Sequence, residues 1–272
     1  TLELRPAPVQ VSWLGYPNTT GLSTIGHRIV DSITDPPGAD SLAAERLIRL
    51  DPCFVCFRPE SPLPPISERA EGPATFGSFN ALSKLSAQAV SLCAEVVRGC
   101  PGSRLVLKNE GLGHANARAR TQARFEAAGL TRDRVELLGP QASRAEHLAL
   151  YGRIDVALDP SPYNGTTTTC EALVMGVPVV TLGGDRHASR VGASLLAAAG
   201  HPEWIAQDHA SYSSIASGLI GRGPRDAESR KKTRAEMLIS ALCDGLGFSR
   251  RFDSALRGLW QSACRGTTDG GA

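Results

Sequence analysis

From Thr75 onward, short continuous apolar runs alternate with segments of helical period, and this alternation restricts the possible folds more than any other feature. Residues 75–79, 104–108, 135–138, 154–158 and 177–182 have the make-up of strands. Between and after them, residues 86–98, 115–128 (closed by Gly129), 144–151, about 168–175 and 189–199 have the make-up of helices. In 86–98 the apolar positions Ala89, Val90, Cys93, Val96 and Val97 recur at the three- and four-residue steps of one helix face. The strand runs are apolar throughout rather than alternating, which is the pattern of strands covered by helices on both faces. Strand and helix in regular succession with short loops predict βαβ units and a parallel sheet.

The chain before Thr75 has a different texture. Ten of the 18 prolines lie between Pro6 and Pro65, favouring extended and turn structure and a linker that ends near Pro65. Only 9–14 and 28–33 look strand-like there. At the other end, residues 224–264 are expected to be helical, with Phe248, Phe252, Leu256, Leu259 and Trp260 forming a stripe that must pack on something. The expected organisation is therefore 1–70 as the end of one domain plus linker, 71–223 as a Rossmann-like domain, 224–264 as C-terminal helices and 265–272 as a disordered tail.

Composition removes several function classes. With 42% hydrophobic and 21% charged residues among 272, the chain can bury a core. A net charge of +2 gives no field that would attract nucleic acid. No run approaches the roughly 20 apolar residues of a membrane helix. The N-terminus lacks a leader pattern, and the chain looks as if it begins in mid-sequence. Seven cysteines, an odd and irregularly spaced set, favour free thiols and a cytoplasmic setting. Cys53 and Cys56 match C-x-x-C, but the partner pair that zinc needs is missing, so an apolar structural role is expected and no metal site.

The chemistry is expected at the carboxyl ends of the strands, where an open parallel sheet presents helix N-termini to ligands. Residues 159–173, Asp-Pro-Ser-Pro-Tyr-Asn-Gly-Thr-Thr-Thr-Thr-Cys-Glu-Ala-Leu, lead from a strand end through a turn into a helix. Thr166, Thr167 and Thr168 there offer hydroxyls and unpaired backbone N–H groups suited to a diphosphate. Glu171, one turn further on, is placed to accept from ribose hydroxyls. A threonine N-cap explains one threonine, not four in a row. Lys84, in Phe76-Gly-Ser-Phe-Asn-Ala-Leu-Ser-Lys84 on a second strand-to-helix loop, reaches the same edge and can neutralise a diphosphate leaving group. A third such loop holds Ala142, Arg144 and His147; Ser143 and Glu146 form a capping box there, and His147 either lies on the helix surface or flanks a nucleobase. His187 and Arg190 follow another strand and either open a helix or contact a sugar. No G-x-S-x-G, H-E-x-x-H or Walker A pattern occurs.

Taken together these stretches resemble the catalytic region of the protein O-GlcNAc transferase/SPINDLY family, glycosyltransferase family 41. The resemblance runs through Leu4-Arg-Pro-Ala-Pro-Val-Gln-Val-Ser-Trp-Leu-Gly-Tyr-Pro17, Phe79-Asn-Ala-Leu-Ser-Lys84, Glu146-His147, Tyr163-Asn-Gly-Thr-Thr-Thr-Thr-Cys-Glu-Ala-Leu173 and His187-Ala-Ser-Arg-Val-Gly-Ala-Ser-Leu195. It implies an α/β fold of GT-B type, with one complete Rossmann-like parallel-sheet domain plus the remnant of a second. It also implies an inverting, metal-independent transferase that needs no cofactor and moves a sugar from a nucleotide-sugar donor to Ser or Thr hydroxyls of a protein acceptor. By position, Lys84 would be the catalytic cation and would bind the donor diphosphate with Thr166, Thr167 and Thr168. Glu171, Ala142, Arg144 and His147 would hold the ribose and base, and Leu14 and Gly15 match positions that line the sugar pocket. Ala81 and Ser83 stand where animal O-GlcNAc transferases have Gln and Tyr; Arg144 replaces a Lys, Thr166 a His and Glu171 an Asp.

UDP-GlcNAc is the expected donor. The Thr-Thr-Thr-Thr-Cys-Glu form is closer to the SPINDLY branch, whose plant members use GDP-fucose, which makes that donor the alternative. In the family an N-terminal catalytic half and tetratricopeptide repeats precede the Leu-Arg-Pro-Ala-Pro segment, so the chain is expected to need those parts as partners. The competing readings are a non-catalytic nucleotide-binding module and a nucleotide-sugar epimerase of similar fold.

Overall fold

A computed structural model of the chain describes residues 2–66, 72–221 and 226–268, with side chains described as far as Arg265. The first segment forms a small parallel sheet, β1 (Val11–Ser12), β2 (His27–Val30) and β3 (Arg46–Arg49), in that order. The two strands expected here are shorter than the sequence suggests. β2 ends at Val30 because Asp31 turns the chain, its Oδ1 accepting from Ile33 N at 3.0 Å and Thr34 N at 2.8 Å. β3 was not expected, since Arg46-Leu47-Ile48-Arg49 has charges at both ends and only two apolar residues.

The large sheet follows in strict alternation. β4 (Thr75–Ser78), α1 (Ala87–Gly99), β5 (Arg104–Lys108), α2 (Ala115–Ala127) and β6 (Val135–Leu138) build one wing. After α3 (Arg144–Ala149), β7 (Val156–Leu158) returns to the far side of β4 and begins the other wing. That wing continues with α4 (Thr167–Val174), β8 (Val179–Leu182), α5 (Val191–Ala198), β9 (Ile205–Ala206) and α6 (His209–Ile220). The order is β6-β5-β4-β7-β8-β9, parallel throughout. The reversal between β4 and β7 opens a crevice at their carboxyl ends, where ligands of such sheets bind.

Helix α1 shows how the sequence builds one layer. Ser86 caps it by accepting from Ala89 N at 3.0 Å. Its expected face is buried: Ala89, Val90, Cys93, Val96 and Val97, joined by Leu92 and Ala94. Each fully buried aliphatic side chain contributes about 1.5–3 kcal/mol.

Two helices end the chain, α7 (Ala227–Ile239) and α8 (Gly245–Thr268). α8 runs past the expected boundary at 264 and occupies the first part of the expected tail; residues 269–272 lie outside the described residues. The stripe on α8 divides. Phe248 and Phe252 pack on Trp13 with centroids 5.8 and 4.7 Å away, tying the last helix to the small sheet, while Leu256 and Trp260 remain exposed.

The expected boundary near residue 70 falls in 67–71, also outside the described residues. The two sheets are joined by buried polar bonds. Ser194 Oγ of α5 donates to Asp31 Oδ2 at 2.5 Å, and Cys53 Sγ lies 3.2 Å from the same hydroxyl. Cys53 is thus structural and Cys56 is free. Among the described residues, no three His, Cys, Asp or Glu side chains converge as metal ligands, and no helix is long and apolar enough to cross a membrane.

Candidate functional site

The loop after β4 and the loop after β7 meet at the switch point. Lys84, in a short 3-10 turn after β4, crosses the crevice and donates from Nζ to Asn164 O at 2.7 Å. The same ammonium sits 4.1 Å from the centroid of the Tyr163 ring. Asn80 Oδ1, also from the β4 loop, accepts from Thr168 Oγ1 at 2.8 Å. The lysine and the threonine cluster, 80 or more residues apart in sequence, therefore share one edge.

This approach depends on Gly165. A Cβ there would lie 2.5 Å from Thr168 Oγ1, 2.8 Å from Asn80 Oδ1 and 3.0 Å from Asp159 Oδ1, so only glycine lets the turn close. Gly165 N in turn donates to Asp159 Oδ1 at 2.6 Å.

The start of α4 is open. Thr166 is the N-cap residue, yet its side chain makes no capping bond. The structural use of threonine that the sequence allowed is thus not the one observed. Thr167 is exposed and Thr166 half-buried. The helix keeps its unpaired N–H groups and the positive end of its dipole turned towards the crevice.

Charge at this edge is unbalanced in favour of an anion. Burial lowers the Lys84 pKa, opposed by the nearby Asp159. Burial pushes the Asp159 carboxyl up to about 7, against the hydrogen bonds from Thr181 and Gly165 and the charge of Lys84. Near neutral pH the Asp159 carboxylate beside Lys84 is thus only partly ionised, so the lysine cation and the helix N-terminus give this edge a positive character.

A second cluster surrounds Glu171, on α4. This buried carboxylate accepts from Arg144 Nη1 at 2.5 Å and from Tyr151 OH at 3.2 Å, and His147 Nε2 lies 2.9 Å away. Burial alone would raise its pKa, but His147 and then Arg144 outweigh burial and hold it below the usual value. His147 is therefore not a helix-surface residue, and its Nδ1 is buried with no hydrogen-bond partner. Ser143 caps α3 as expected, accepting from Glu146 N at 3.2 Å. Glu146 completes only a variant of the box, accepting from Ala142 N at 3.1 Å rather than from the cap residue. Ala142 itself is exposed.

Beside the start of α4 lies a cavity of 360 Å³ whose walls come from both sheets. Leu14, Gly15 and Phe54 face Thr166, Thr167 and His187 across it. Leu14 holds a positive φ of 58° and Gly15 N closes a tight turn to Trp13 O at 2.7 Å, which folds this segment over the cavity. Arg190, expected in the same place, does not line it. Its guanidinium is committed to Gly184 O at 2.8 Å and Thr34 O at 3.4 Å, joining the two sheets. A larger groove of 1020 Å³ lies between α5, α6 and α7, and none of the expected residues line it.

Sequence reasoning missed Asp159, Arg28 and Asp35. Asp159 ends a strand beside the threonine turn, a position that could have been read. Arg28, on β2, lines the cavity and Asp35, in the turn after β2, bonds to the cavity-lining His187; nothing local in their sequence marks them.

The family model for Glycosyl transferase family 41 matches residues 1–71 and 67–246. The chain is 40% identical over 268 residues to a Petunia hybrida protein named "Probable UDP-N-acetylglucosamine--peptide N-acetylglucosaminyltransferase SPINDLY", covering 97% of this chain and 29% of that protein. The Arabidopsis thaliana protein of the same name is 39% identical, with 98% and 29% covered. The chain thus spans less than a third of these relatives. Among solved structures, a Thermobaculum terrenum O-GlcNAc transferase mutant superposes with a TM-score of 0.87 at 38% identity, covering 97% of this chain and 50% of that one. A sucrose-phosphate synthase of Thermosynechococcus elongatus, at 18% identity and TM-score 0.58, shares the fold over 87% of this chain and 59% of its own. The fold is α/β of the GT-B type.

Proposed function

Because the chain belongs to glycosyl transferase family 41, we propose that it supplies the donor site of a transferase that moves N-acetylglucosamine from UDP-GlcNAc to Ser and Thr hydroxyls of proteins. The observation that carries this reading is the convergence of Lys84 and the uncapped start of α4 at the switch point, beside a sugar-sized cavity. The donor diphosphate would lie between Lys84 Nζ and the N–H and hydroxyl groups of Thr166, Thr167 and Thr168. Glu171, with Arg144 and His147, would meet the ribose and base beside Ala142, His147 Nδ1 having no hydrogen-bond partner among the described residues. The sugar would enter the cavity under Leu14 and Gly15.

In the transfer, an acceptor hydroxyl oxygen bonds to the anomeric carbon as the bond to the diphosphate breaks, and the hydroxyl proton passes to solvent. Negative charge then grows on the leaving diphosphate. Lys84 and the helix N-terminus stabilise that charge without needing to reorganise, the role a divalent cation plays elsewhere. No cofactor is required by this chemistry. The acceptor protein, the N-terminal half of the catalytic region and the tetratricopeptide repeats of the relatives' family are the partners this reading calls for.

A second donor, GDP-fucose, is favoured by one observation: Thr166 and Glu171 give the site the SPINDLY form. Calorimetric titration with UDP and with GDP, in the presence of a chelator, tests the donor site. Binding of either supports it, and binding of neither overturns it. Competition between UDP-GlcNAc and GDP-fucose on the full-length gene product then separates the donors.

A further inference from the structure

The end of the cavity away from α4 carries a polar group of three residues, Arg28, Asp35 and His187. Asp35 follows β2 in the small sheet, and His187 opens the turn before α5, 152 residues later; Nδ1 of the imidazole lies 2.6 Å from Asp35 Oδ2. The ring stands edge-on to Phe54, with centroids 5.0 Å apart. Both partners are buried. An ionised carboxylate only accepts, so Nδ1 donates to Asp35 and Nε2 is left facing away from it. Nε2 has no hydrogen-bond partner among the described residues, and His187 lines the cavity.

Arg28 adds an independent sign of a ligand. Its side chain is 3% exposed, lines the same cavity, and its Nη2 is buried with no partner among the described residues. A buried guanidinium nitrogen left without an acceptor is costly unless a ligand supplies one. Asp35 and Glu45 both favour the arginine cation against burial, so carboxylates are already near it and a neutral acceptor suffices as the missing partner. The other groups facing this end favour the same conclusion. Burial raises the pKa of the Cys56 and Cys170 thiols and keeps them neutral.

We propose that Arg28 and His187 read hydroxyl groups of the donor's neutral sugar, with Asp35 as the positioning residue that fixes the imidazole. This rests on the donor-site reading above and adds to it the basis of sugar recognition. Apolar walls with a few fixed polar groups are how small-molecule sites set orientation.

Asparagine and glutamine at 187 separate a sugar contact from a structural tie. Asparagine places its amide where Nδ1 was and keeps the bond to Asp35, but cannot reach the Nε2 position. Glutamine reaches the Nε2 position. Affinities for UDP-GlcNAc and GDP-fucose are measured by calorimetry, each against its free nucleoside diphosphate. The proposal expects His187→Asn to weaken the preferred nucleotide sugar about tenfold while leaving the nucleoside diphosphate unchanged, the loss of roughly one hydrogen bond. His187→Gln stays within threefold of the parent. Arg28→Lys, which keeps the charge beside Asp35 but withdraws Nη2, behaves as His187→Asn does. Equal effects of asparagine and glutamine, or parallel losses for nucleoside diphosphate and nucleotide sugar, overturn the sugar-reading role and leave the donor site standing. Failure of the parent chain to bind either nucleoside diphosphate overturns both.

Discussion

Replacing Lys84 by alanine removes the side-chain cation that reaches from the β4 loop to the start of α4. The ammonium is half-buried, 2.7 Å from Asn164 O and beside the open start of α4. Two unit charges about 4 Å apart interact by about 4 kcal/mol at an effective dielectric of roughly 20. Stripping water from both ions takes back part of that, leaving the about 1.5–3 kcal/mol typical of a charged hydrogen bond. UDP and GDP should therefore bind roughly 10- to 150-fold more weakly to Lys84→Ala. The nucleosides uridine and guanosine, which carry no phosphate, should bind as they do to the parent chain. Calorimetry, with competition for weak ligands, reads both, and thermal melting of the variant controls for loss of the bond to Asn164. Nucleoside diphosphate affinity within twofold of the parent, or an equal loss for the nucleosides, would refute the reasoning.

The remaining predictions concern the frame around this cation. The Asp159 pKa rises from 3.8 unfolded to about 7 folded, so between those values the native state holds more protons than the unfolded one and stability falls as pH rises. That fall is on the order of 4 kcal/mol. Asp159→Asn should abolish it in denaturant titrations at stepped pH, and an unchanged slope would show that another group is responsible. Gly165→Ala forces a methyl against Thr168, Asn80 and Asp159 and should cost about 1–3 kcal/mol in stability together with nucleotide affinity; a variant as stable as the parent would mean the turn is not tight. Trp13 donates from Nε1 to Phe54 O at 2.8 Å and stacks with Phe248 and Phe252. Trp13→Ala should destabilise the chain by about 3–5 kcal/mol and speed proteolysis within α8, and protease resistance equal to the parent would deny that this packing holds the helix.

The Rossmann-like sheet was legible because its strands are buried on both faces, so 75–79, 104–108 and 135–138 stand out as unbroken apolar runs. β9 and α6 escaped notice for opposite reasons. Two residues are too few for a run, and His-Ala-Ser-Tyr-Ser-Ser-Ile-Ala-Ser-Gly-Leu-Ile has little helical period. The start of α6 was nevertheless written in the sequence, since Asp208 and Ser211 form a capping box, with Ser211 N donating to Asp208 Oδ1 at 2.7 Å. At the site, the elements Lys84, Thr166–Thr168 and Glu171 were legible because local turn chemistry places them at strand ends. The bonding of Arg144 and His147 to Glu171 was not, because it joins α3 to α4 across the crevice. Asp35 was invisible for the same reason, since its partner His187 lies 152 residues away, and Arg28 because only the folded cavity gives it a role.

The most direct measurement is a crystal structure of the chain with UDP or GDP bound. The account predicts the diphosphate within hydrogen-bonding distance of Lys84 Nζ and of the N–H groups of Thr167 and Thr168. A nucleotide bound instead in the groove between α5 and α7, with the start of α4 left empty, would contradict it.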